Sequence, residues 1–101
     1  MGAWVRLYNR STLKAFWEIH ANAEEPLRRW YKEVETAKWS SPTDIKAAYA
    51  SASFVGSDKV VFNIGGNNYR IICRLDYQYK VVRIHFLGTH AEYDDVDVTK
   101  A

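Results

Sequence analysis

An α+β fold, with helices placed ahead of an antiparallel sheet, is predicted by three observations. Helical spacing of apolar residues fills the first half of the chain, up to about Tyr49. Three β-rich runs follow, at Lys59–Ile64, Tyr69–Leu75 and Val81–Leu87. The joint between the first two runs is Gly65-Gly66-Asn67-Asn68, whose residues tolerate the positive φ of a tight turn. Helices first and strands later is the α+β order, and two or three helices should cover one face of a small sheet.

Each element has its own signal. Val5, Leu7 and Asn9 alternate with Trp4, Arg6 and Tyr8, which fits a short first strand. Ser11 or Thr12 then caps a helix in which Leu13, Phe16 and Trp17, extending to His20, share one face. Asn22 and Glu24-Glu25-Pro26 restart a second helix. Pro26 suits its first turn, and the two glutamates suit the positive end of the helix dipole. Leu27, Trp30, Tyr31, Val34 and Ala37 or Lys38 recur at helical spacing, and this aromatic stripe is read as core. Ser41-Pro42-Thr43-Asp44 starts a short third helix that runs to about Tyr49. Asp76 to Lys80 joins the last two strands.

The chain has 101 residues, the size of one compact domain, so residues 1–101 are expected to form a single unit. Hydrophobic residues make up 48% and aromatics 15%, a globular composition and not a disordered one. No apolar run approaches the roughly 20 residues that cross a bilayer, so no membrane partner is expected. Met1 to Arg10 lacks the basic-then-apolar layout of a signal peptide, and a cytoplasmic location is expected. The single cysteine, Cys73, excludes an internal disulfide and a cysteine-based zinc cluster, and it sits in an apolar strand pattern that reads as core.

The net charge of +2 decides little, but its distribution is uneven. From Lys59 to His90, five cations (Lys59, Arg70, Arg74, Lys80, Arg83) face Asp76 alone, giving +4; the tail then sets Glu92, Asp94, Asp95 and Asp97 against Lys100, giving −3. Charge alone fits an anionic partner and an ordinary solvated face equally.

Alternation sorts the sheet into two faces. Val60, Phe62, Ile64, Tyr69, Ile71, Cys73, Leu75, Val82, Ile84 and Phe86 should pack on the helices. The opposite set is Lys59, Val61, Asn63, Arg70, Ile72, Arg74, Val81, Arg83, His85 and Leu87, so every strand points a basic residue away from the core. A two-residue turn at Gly66-Asn67 would place Asn63 opposite Arg70, Phe62 opposite Ile71 and Lys59 opposite Arg74. A one-residue slip would spoil both faces. The Lys59–Arg74 pair costs about 0.2–1 kcal/mol as like charges. A bridging phosphate would offset that cost, and splaying of both side chains into water would avoid it.

His90 and Tyr93 stand three apart in Gly88-Thr89-His90-Ala91-Glu92-Tyr93-Asp94, so a helical turn there points both the same way. Histidine is the side chain best suited to moving protons near neutral pH. His85, His90, Glu92 and Asp94 match no zinc or two-metal spacing, so no metal site is expected. Gly65-Gly66 lacks the Lys and following helix of a phosphate-binding P-loop, and no cofactor is expected.

The run Val60-Val61-Phe62-Asn63-Ile64-Gly65-Gly66-Asn67-Asn68-Tyr69-Arg70 resembles the central hairpin of HigB-like toxins of the RelE superfamily, and the ending from Gly88 to Asp94 resembles theirs. Phe16-Trp17-Glu18 is similar to the family's first helix, and Ala23-Glu24-Glu25-Pro26-Leu27 with Trp30-Tyr31 to its second. Trp39 matches a Trp that follows it. The resemblance covers nearly the whole chain. It implies a RelE-like fold with the active site on the open sheet face. It also implies metal-independent cleavage of mRNA, often on the ribosome, and a HigA-type helix-turn-helix antitoxin as partner.

On that resemblance, the expected reaction is attack by a ribose 2′-hydroxyl on the adjacent phosphate, leaving 2′,3′-cyclic phosphate and 5′-hydroxyl ends. Arg70 is assigned to the scissile phosphate, because a guanidinium holds two oxygens at once. His90 is the proton carrier, and Tyr93 orients the RNA or the leaving oxygen. Lys59, Asn63, Arg74 and Arg83 form the RNA-binding set. His85 stands where related toxins often carry Arg or Lys; it is counted with the catalytic residues, as a charge or as a second proton carrier, and the alternative is a weaker or altered nuclease. Two other functions share this face: a non-catalytic RNA- or ribosome-binding module, and a degenerate toxin acting only through its antitoxin.

Overall fold

The structure, a computed structural model, describes residues 6–8, 11–56, 58–66 and 68–96. Within the first strand signal, Arg6–Tyr8 form strand β1, while Trp4, Val5 and Asn9 lie outside the described residues. Helix α1 (Ser11–Ile19) is followed by a single 3-10 turn (Ala21–Ala23), helix α2 (Glu24–Thr36) and helix α3 (Pro42–Ala48). Strands β2 (Ser53–Val55), β3 (Lys59–Ile64), β4 (Tyr69–Asp76) and β5 (Val81–Thr89) come next, and helix α4 (His90–Asp94) closes the described chain.

The strands lie in the order β1-β5-β4-β3-β2. Strands β3 to β5 pair antiparallel, as expected, β2 pairs antiparallel with β3, and β1 adds to the free edge of β5 in parallel. Strand β2 was not among the expected elements. Three residues are too few to show alternation, and they borrow their hydrogen bonds from β3.

The helices form where their signals stand. Leu13 of α1 and Leu27, Trp30 and Val34 of α2 are buried, with Phe16, Trp17 and Tyr31 packed half-buried beside them. Asp44 accepts hydrogen bonds from the Ser40 backbone N–H (2.9 Å) and hydroxyl (3.0 Å), tying the chain just before α3 to its first turn. Those same bonds hold the Asp44 carboxyl below the usual range. The helical face of the sheet supplies Val60, Phe62, Ile64, Tyr69, Ile71, Cys73, Leu75, Val82 and Ile84 to the same core. Cys73 is fully buried, and burial pushes its thiol well above the ordinary range, which makes it inert packing.

The β3–β4 register is the expected one: Asn63 faces Arg70, Phe62 faces Ile71 and Lys59 faces Arg74. The Asn68 N–H donates to the Gly65 carbonyl (3.3 Å), and Gly65 and Gly66 both take positive φ. Asn67, the second residue of the expected turn, lies outside the described residues. Asp97 and Lys100 of the charged tail also lie outside them.

One expectation of the face assignment fails. A β-bulge shifts the β4–β5 register: Cys73 pairs with Ile84, but Ile72 pairs with Phe86, leaving His85 as the extra residue. Beyond it the alternation of β5 is inverted. Leu87 faces Ile71 and packs on the core, whereas Phe86 joins Ile72 on the opposite face.

Candidate active site

The face of the sheet turned away from the helices is organised in three rows across β3, β4 and β5. Lys59, Arg74 and Arg83 form the first. Val61, Ile72 and Phe86 form the second, and Asn63, Arg70 and Gly88 the third. Neighbouring rows lie two residues apart along β4, about 7 Å.

The basic row is built from like charges that would repel one another. Part of that cost is offset by Asp58, a residue not singled out in the sequence, whose Oδ2 lies 2.6 Å from Arg74 Nε. A carboxylate of the chain thus already partners Arg74, one of the two cations for which a bridging phosphate was considered. Its only sequence signal is its place next to Lys59. Asp58, Arg74, Tyr77, Arg83 and His85 line a hollow of about 710 Å³ at this end of the face. His85 is exposed here, on the face to which alternation assigned it.

The other end carries Arg70 and the residues after β5. Thr89 still pairs with Tyr69, and α4 begins at the next residue. Three bonds fasten that helix. The His90 N–H donates to the Asn68 carbonyl of the β3–β4 turn (3.1 Å). The Thr89 N–H donates to Glu92 Oε1 (2.8 Å), and the Glu92 N–H donates to the Thr89 hydroxyl (3.2 Å). The last two form a capping box.

Held this way, α4 sets the Tyr93 ring against Arg70, whose Cζ lies 5.5 Å from the ring centroid, a cation–π distance. It also pairs His90 Nδ1 with Asp94 Oδ2 at 3.2 Å. An Nδ1–H donated to Asp94 leaves Nε2 as the ring atom able to take or give a proton. The sequence did not point to Asp94 as this partner, although its i,i+4 spacing from His90 is visible there.

The structure thus brings Arg70, Tyr93 and the helix bearing His90 to one end of the face. It places His85 elsewhere, with Lys59, Arg74 and Arg83 across the apolar row. Asn63 lies beside Arg70 in register, and its Nδ2 donates to the Ser51 carbonyl (3.1 Å). Among the described residues, no group of three or more His, Cys, Asp or Glu side chains could hold a metal ion.

The capping box makes a prediction. The Thr89 N–H and hydroxyl hold the Glu92 carboxyl below its usual range. A carboxylate with a depressed folded-state pKa stabilises the fold above its unfolded value, about 4.3 for Glu, and that contribution fades as pH falls through the folded value. Thr89→Ala should loosen α4 by about 1 kcal/mol. Lower protection of the Glu92 amide, relative to its intrinsic exchange rate at the same pH, is expected in the variant at neutral pH and in the parent protein in acid. Unchanged exchange in the variant would refute the cap's role.

Residues 23–96 match the family described as HigB_toxin, the RelE-like toxic component of a toxin–antitoxin system. The chain is also similar to the mRNA interferase HigB of Escherichia coli O6:H1 (strain CFT073). The two are 29% identical over 70 residues, which span 67% of this chain and 68% of that protein.

Proposed function

Because the chain belongs to the HigB toxin family, the RelE-like toxic components of toxin–antitoxin systems, we propose that it is an endoribonuclease that cleaves mRNA. The observation that carries this reading is the joining of Arg70 and Tyr93 beside a helix whose histidine is already oriented by Asp94. The named activity of the similar E. coli protein supports it.

In the proposed reaction the RNA backbone lies along the open face. Lys59, Arg74 and Arg83 attract it, with a strength that falls as salt rises. Arg70 grips the non-bridging oxygens of the scissile phosphate and stabilises the charge of the phosphorane. The ribose 2′-oxygen bonds to phosphorus as the bond to the 5′-oxygen breaks. The 2′ proton passes to a base, and the departing oxygen takes a proton from an acid. His90 Nε2 fills one of these two roles. Tyr93, stacked on the guanidinium, keeps Arg70 aimed. His85 belongs to the binding end, beside Arg74 and Arg83. The products are a 2′,3′-cyclic phosphate and a 5′-hydroxyl, and no step calls on a metal.

The same reading places the protein in the cytoplasm, acting on messages at the ribosome and restrained by a HigA-type helix-turn-helix antitoxin. Among the described residues no helix is long and apolar enough to cross a membrane.

Controlled expression with and without the antitoxin, followed by mapping of RNA 5′ ends, tests the proposal. Growth arrest with new 5′-hydroxyl ends inside coding regions, lost in His90→Ala, is the expected outcome. Intact messages from a folded protein would sink it and favour a non-catalytic RNA- or ribosome-binding module.

A further inference from the structure

The middle row of the open face has no part in the reaction just described, yet it holds an aromatic ring. Phe86 is there because of the bulge at His85. Uninterrupted alternation would have sent it into the core position that Leu87 fills. Phe86 is half-buried, does not belong to the main core, and faces the fully buried Ile72 in register.

Its ring also needs room. A Cβ at Gly88 would stand 2.5 Å from Phe86 Cζ and 3.1 Å from Cε2, closer than side-chain carbons approach. The ring therefore leans along β5 over the bare backbone of Gly88, the residue opposite Arg70. A glycine inside a strand often marks such a close approach.

We infer that Phe86 is a stacking platform for one unpaired base of the RNA strand whose phosphate Arg70 holds, and that Gly88 is the positioning residue that lets the ring occupy this place. The inference rests on the nuclease reading and names a base subsite within it. Along the face, cations alternate with an apolar ring: Arg74 in the first row, Phe86 in the second, Arg70 in the third. A single-stranded nucleic acid alternates in the same sense, with charged phosphates between flat apolar bases. Grooves that combine a basic track with aromatic rings bind such strands, and each stacked base counts appreciably. A merely structural Phe86 would only roof Ile72, a task Leu performs as well.

The probe is a short unstructured oligoribonucleotide with a 2′-deoxy sugar at the cleavage position, so that it binds without being cut. Its affinity is measured by fluorescence anisotropy, intact and with each base removed in turn. The protein as it stands should lose roughly 5- to 100-fold in affinity when one particular base is missing. Phe86→Leu should bind the intact strand weaker by a similar factor and be indifferent to loss of that same base. Phe86→Tyr should restore the sensitivity, and Gly88→Ala, which evicts the ring, should mimic Phe86→Leu.

The inference is overturned if no single base matters to the parent protein, a test that requires no variant. It is equally overturned if Phe86→Leu loses affinity equally for intact and base-stripped strands. Failure of the all-ribose strand to be cut, free or on a programmed ribosome, would count against the nuclease reading alone. The binding comparison would still judge the platform.

Discussion

Arg70→Ala is expected to lower mRNA cleavage by about 10²–10³-fold, the usual loss when one preorganised donor to a developing oxyanion is removed. Arg70 projects from β4 between Asn63 and Gly88, with the Tyr93 ring on its guanidinium. Since it lies off the main core, its truncation should leave the fold standing. Arg70→Lys keeps the charge but loses the planar fork and the flat surface on which Tyr93 rests, so it should recover only part of the rate. Single-turnover cleavage of a defined message, together with near-UV circular dichroism to verify folding, reads both effects. A folded Arg70→Ala protein that retains a tenth or more of the parent rate would remove Arg70 from the reaction.

The second large effect is on stability. Phe62→Ala should cost about 3–5 kcal/mol, a large share of the roughly 5–15 kcal/mol that holds a domain of this kind together. Phe62 has no exposed surface and stands at the centre of an aromatic cluster. Trp30 meets it edge-on at 5.5 Å, Tyr49 edge-on at 5.1 Å, and Trp39 stacks at 6.2 Å. The cluster fastens α2, the segment before α3 and the end of α3 to β3, and a hydrogen bond from the Tyr49 hydroxyl to Glu33 ties the two helices further. Removing the ring leaves three large neighbours that cannot all collapse into the gap. Phe54 on β2 makes the control. It is 37% exposed, so Phe54→Ala should stay near 0.5 kcal/mol. Urea denaturation of both variants tests the contrast, and equal losses would contradict this account of the core.

The helices and the β3–β4 hairpin were legible in the sequence because their signals are local and redundant. Ser41-Pro42, Glu24-Glu25-Pro26 and the Gly65-Gly66 turn each mark an end, and apolar spacing fills the stretch between. The register of Asn63 with Arg70 followed from turn length and face consistency together. The bulge was not legible, because neither glycine nor proline marks His85. It is set by how β5 bends across β4, a tertiary matter. That one unseen residue moved Phe86 and Leu87 to opposite faces and separated His85 from Arg70. Asp58 was missed for a related reason: its partner Arg74 is distant in sequence, and only the closed hairpin brings them together. The helical turn bearing His90 and Tyr93 was anticipated, but the capping box that anchors it was visible in Thr89 and Glu92 and went unread.

The parallel pairing of β1 with β5 sets Arg6 beside Val81, joining the strand ahead of α1 to one that follows α1, α2 and α3. A newly synthesised chain thus carries β1 unmatched until β5 has been made. The rows that hold Arg70, Phe86 and Arg83 need β5 in place as well. A growing chain still lacking β5 therefore cannot assemble this face, whatever else of the fold has already formed.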